Sequence, residues 1–99
     1  MLTGKQRSYL KGLAHHENAV VFIGKDGLTE STIAEMNRCL ESRELIKVKI
    51  QDNAYLDAKE TANHAAEILE AEFVQAIGSK FSLYRKAGDP EKRKIVLPK

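Results

Sequence analysis

The chain has 99 residues, 42% hydrophobic and 30% charged, a balance typical of a globular domain and too apolar for a disordered one. That length argues for one compact domain over residues 1–99, no apolar run reaches the ~18 residues of a membrane span, and residues 1–10 hold no signal-peptide core, so a cytoplasmic location is expected. The net charge is only +2, but residues 1–25 carry four basic residues against one acidic, residues 26–72 five against eleven, and residues 73–99 seven against two; a fold that joins the ends makes one face basic and the other acidic.

Thr3 and Gln6 have the spacing of a capping box, so a helix opens after Thr3. Leu10, Leu13 and Ala14 give it an apolar stripe up to about Ala14, and Arg7 and Lys11, four apart, share a face. The run Ala19–Ile23 is too short for a helix and rich in β-branched residues, which predicts a buried strand. Gly24-Lys25-Asp26-Gly27 breaks it. Thr29 is the expected N-cap of the next helix, with Thr32 a competing cap one turn on. Ile33, Met36 and Leu40, with Cys39 beside them, mark its buried face, and it should end near residues 41–43.

Leu45–Ile50 alternates cleanly: Ile46, Val48 and Ile50 point one way, Lys47 and Lys49 the other, the pattern of a strand with one wet face. Asp57 precedes an alanine-rich helix whose stripe of Ala58, Ala62, Ala65 and Leu69 implies close packing. Phe73–Ile77 and Phe81–Arg85 read as a hairpin around Gly78-Ser79-Lys80. Ile95–Leu97 is either a short edge strand or packs on the core. The order α-β-α-β-α-β-β predicts an α/β fold in two layers, a small mixed four-stranded sheet with helices on it. The strand order is not legible at this stage.

The segment most suited to chemistry is the strand, glycine turn and helix start from Val20 to Glu30. Glycines at 24 and 27 remove the Cβ atoms that would hold a ligand away, and a helix start aims unpaired N–H groups at what lies over the loop. Lys25 adds a cation; Asp26 opposes an anion unless it faces away. A G-x-x-G loop clamps a nucleic-acid backbone in this manner, although alone it is equally a plain turn. Lys5, Arg7 and Lys11 precede the strand that feeds the loop, Lys47 and Lys49 lie on the wet sheet face, and Arg85 ends the last strand; each is a candidate for the same polyanion. No enzyme site is legible: His15-His16 have no third ligand nearby, Cys39 falls on an apolar stripe, and no nucleophile-base spacing is present. No metal or cofactor is called for.

Taken jointly, Leu2-Thr3, Lys5-Gln6-Arg7, Leu10–His15, Ile23–Thr29, Leu45–Lys49, Val74–Gly78 and Leu83-Tyr84-Arg85 resemble the CRM domain (chloroplast RNA splicing and ribosome maturation), in its stand-alone bacterial YhbY-like form. The resemblance spans about Leu2 to Leu97. It implies an α/β domain similar to the C-terminal domain of translation initiation factor three. It also implies RNA binding through Gly24, Lys25, Asp26 and Gly27 with the flanking Lys5, Arg7 and Lys11; Thr29, at the helix start, is a further candidate contact. The implied partner is ribosomal RNA of the large-subunit precursor, with ribosomal proteins as further partners and no DNA or membrane. The alternative reading is a protein-interaction module that docks a ribosomal protein or assembly factor through its acidic helices.

Overall fold

Short polar side chains set the helix boundaries in the computed structural model, which describes residues 2–99; Met1 lies outside it. Helix α1 (Gly4–Ala14) opens with both bonds of the capping box: Gln6 N donates to Thr3 Oγ1 at 3.1 Å and Thr3 N to Gln6 Oε1 at 3.0 Å. Strand β1 (Ala19–Ile23) leads into α2 (Glu30–Arg43), which Thr29, not Thr32, caps by accepting from Thr32 N. Strand β2 (Leu45–Ile50) follows, then α3 (Ala58–Leu69), capped by Asp57 through Glu60 N at 2.8 Å. The hairpin is β3 (Glu72–Ile77) and β4 (Lys80–Tyr84). Its loop is Gly78-Ser79 with positive φ at the glycine alone, the pattern of a type II′ turn that suits strand twist. Arg85 therefore lies just beyond the strand expected to contain it.

The sheet runs β1-β2-β4-β3, with β1 and β2 parallel and the other two pairs antiparallel. On one face, Val21, Ile23, Ile46, Val48, Ile50, Phe81 and Leu83 meet Met36 and Leu40 of α2 and the alanine stripe of α3. Small side chains there let α3 approach the sheet closely, as the sequence implies. On the other face, Leu10 and Ala14 of α1 pack on Leu45, Val74 and Tyr84. This helix adds a third layer at one end of the sheet. The expected two-layer arrangement, with a wet face, describes the other end, where Lys47 and Lys49 stand.

The C-terminal segment forms no strand. Ile95 and Leu97 pack against the α1 side of the core. The fully buried carboxylate of Glu44 accepts from the N–H groups of Ala87, Lys94 and Ile95 at 2.7–2.9 Å, and Glu41 accepts from Gly88 and Asp89. These two carboxylates, on and just after α2, hold the segment that the apolar contacts alone would leave loose.

Candidate functional site

Because β1 and β2 are parallel, their carboxyl ends lie together, and the loops that follow them sit side by side. In open α/β sheets this is where ligands bind. Gly27 N donates to Gly24 O at 3.0 Å, which closes Gly24–Gly27 into a turn, and Thr29 N donates to Gly27 O at 3.1 Å. Among the described residues, the N–H groups of Lys25, Asp26 and Leu28 find no acceptor. The side chains of Lys25 and Asp26 are exposed. With the unbonded first amides of α2, the loop offers a cluster of donors to solvent.

The two glycines differ. Gly27 has φ +70°, a conformation other residues adopt at a cost. Gly24 has no such φ, and a Cβ there would meet only the Gln51 side chain at 3.6 Å, an ordinary contact. Position 24 therefore needs glycine neither for its backbone nor for its packing.

The loop continues onto the open half of the sheet. Register places Phe22 beside Lys49, Lys49 opposite Lys80, and Lys80 opposite Ile77. Lys47 lies two residues before Lys49 on the same face, opposite Ser82. His15, at the end of α1, lines a recess there with Lys47, Gln75, Ser82, Lys80 and Ile77, and no carboxylate borders it. The sole ion pair among the described residues, Arg38 with Glu35, is elsewhere. By contrast the groove on the α3 side of Gly27 is bordered by Glu60. An anion at the loop is favoured from the sheet side.

The structure separates some residues that the sequence grouped. Arg7 donates to Phe73 O at 3.3 Å, on β3, and Lys11 lines a recess along Phe73–Ile77. Sequence order suggested that they flank the loop, but β2 and β4 stand between β1 and the β3 edge where these two side chains lie. From strand spacing and rise, Arg7 is roughly 20 Å from the loop. Lys5 is exposed on the first turn of the same helix. Arg85 is on the opposite side, where its guanidinium donates to Leu69 O and Asn37 O and ties α3 to α2. Thr29 uses its hydroxyl as the α2 cap.

Other residues came forward that sequence reasoning missed. Phe22 is 53% exposed and Ile77 60%. Lys80 joins the lysines of β2. Tyr55, 93% exposed and with φ +54°, stands in the loop after β2. Strand alternation was the signal for Phe22, since Val21 and Ile23 face the core; the continuous apolar run Ala19–Ile23 hid it.

The CRS1 / YhbY (CRM) domain model matches residues 2–85. The chain is 42% identical over 98 residues to an RNA-binding protein of Haemophilus influenzae, covering 99% of this chain and 96% of that one. It is 36% identical to the Probable RNA-binding protein YqeI of Bacillus subtilis, covering 99% and 100%. It is also similar to the solution structure of the hypothetical protein SAV1595 from Staphylococcus aureus, with a TM-score of 0.77 and 39% identity over 99% of this chain and 100% of the other.

Proposed function

The chain belongs to the CRS1/YhbY (CRM) domain family, and from that premise we propose that residues 1–99 form one RNA-binding domain, without enzymatic activity, that assists assembly of the large ribosomal subunit in the cytoplasm by associating with its precursor RNA. The names of two relatives support the RNA partner. The observation that carries the reading is the open loop at Gly24–Gly27, whose unbonded amides and exposed Lys25 continue onto the open half of the sheet, where lysines border a recess that no carboxylate lines.

Phosphate oxygens accept from the amides of Lys25, Asp26 and Leu28, and the absent Cβ of Gly24 lets the strand approach. Lys25, Lys47, Lys49 and Lys80 supply charge and release counterions. Lys11, at the far rim, is reached only by a strand that crosses the whole sheet. Lys5 and Arg7 lie beyond that track. Such contacts position RNA without reading its sequence, so structured RNA is selected by shape and by unpaired nucleotides.

A salt titration of single-stranded RNA binding tests this. About four phosphate contacts give a slope of log affinity against log salt near −3. Lys25→Glu should weaken binding and flatten the slope by about 1 or more. A salt-independent response, or a Lys25→Glu protein that binds as the parent does, would refute the clamp and favour docking of a protein through α2 and α3. The ribosomal assignment is tested separately by crosslinking in cells, with attached RNA expected to map to the large-subunit precursor.

A further inference from the structure

We propose that the open half of the sheet is a nucleobase site, in which an unpaired base of single-stranded RNA stacks on Phe22 while Lys49 and Lys80 hold the adjoining phosphates. This rests on the RNA-binding reading and adds to it a part that contacts bases.

Four observations carry it. Phe22, Lys49, Lys80 and Ile77 form one row across all four strands, apolar at both ends and cationic in the middle. Both apolar members are more than half exposed, although the same strands bury Val21, Ile23 and Val74 completely. Lys49 and Lys80 are directly opposed, with Lys47 next to them on the same face, and like charges so placed destabilise a sheet. No carboxylate relieves them among the described residues. An arrangement that costs stability in the free protein is offset when a polyanion covers it.

The geometry suits a nucleic-acid strand better than a protein segment. Phe22 is two residues, about 7 Å, from Gly24. A phosphate seated on the loop therefore brings the next nucleotide over the ring. The row is about 14 Å wide, three strand spacings, which is about four nucleotides at a stacked rise of roughly 3.4 Å. Beside it the recess with Gln75, Ser82 and His15, about 250 Å³ in volume, offers polar groups to a base edge. Other four-stranded sheets hold two or three bases on aromatic side chains in this way. A duplex cannot use the site, because its bases are already stacked and paired.

The test compares three labelled RNAs by fluorescence anisotropy: a single strand, a duplex of the same length, and a single strand of the same length carrying abasic sugar-phosphate units. Phe22→Leu keeps an apolar β-strand residue and removes the aromatic face. It should melt at the same temperature as the parent and lose at least about fivefold in affinity for the single strand, the low end for one stacked base. Its affinity for the duplex and the abasic strand should be unchanged. Lys80→Gln should weaken the single strand and the abasic strand modestly and alike, because both present phosphates to it, and leave the duplex nearly unchanged. If Phe22→Leu binds the single strand as the parent does, or loses equally on the abasic strand, the base site is wrong while the clamp stands. If the parent binds none of the three RNAs, the RNA-binding reading itself fails.

Discussion

Gly24 and Gly27 separate what a fold needs from what a ligand needs. Gly27 has the left-handed backbone, so Gly27→Ala should destabilise the domain by about 1 kcal/mol. Gly24 has room for a methyl group, so Gly24→Ala should leave the melting temperature nearly unchanged while weakening RNA binding at least severalfold. Chemical denaturation and anisotropy on the two variants decide this; a Gly24→Ala protein that unfolds early would return position 24 to a purely structural role. The motif was visible in the sequence as two equivalent glycines. Their difference was not, because it lies in the backbone of the folded turn, where Gly27 alone of the two takes the left-handed φ. The same limit applied to Arg7 and Arg85, whose side chains looked free but donate to backbone carbonyls brought from β3, α2 and α3.

At the scale of elements, Glu44 links α2 to the C-terminal segment. It has φ +68°, unusual for its residue type, and donates its own N–H to Leu40 O while its carbonyl accepts from Arg85 N. Burial alone would raise its carboxyl, but the N–H groups of Ala87, Ile95 and Lys94, with Arg93 nearby, hold it below the ordinary carboxylate range. The amides of Gly88 and Asp89 lower Glu41 likewise. Both carboxyls are more acidic folded than unfolded. Their contribution is therefore complete above the unfolded value, about 4.3, and is lost as pH falls through the lower folded values. Glu44→Gln should cost about 1–3 kcal/mol at neutral pH, because it leaves buried donors without a full set of acceptors. It should also flatten the acid limb of a stability profile measured by urea unfolding. An unchanged acid limb would mean that the segment is held by Ile95 and Leu97 alone. Nothing in the sequence marks Glu44 as buried; it reads as one more charge between a helix and a strand. The capping residues Thr3, Thr29 and Asp57 were legible because each acts within three residues of itself.

For the whole molecule, topology decides which charges act together. The element order and the alternation in β2 were readable from local pattern. The sheet order was not, since long-range pairing leaves no local mark except that β4 is buried on both faces from Phe81 to Tyr84, and Ser82 breaks its apolar run. That order puts β4 inside the sheet, places Arg7 and Lys11 beside the far edge strand β3, and leaves Lys47, Lys49 and Lys80 as the cations that adjoin the loop. The basic face expected from the two ends of the chain is not what adjoins the loop: Lys47 and Lys49 come from the acidic middle of the sequence, and only Lys80 comes from its last third. Amide chemical shifts of the isotope-labelled protein, followed as single-stranded RNA is added, test this most directly. The account predicts that the largest changes fall on Phe22, Lys25, Asp26, Leu28, Lys49 and Lys80, with those of Arg7 and Arg85 small. Changes concentrated on the outer faces of α2 and α3, with the loop and the open sheet silent, would contradict it.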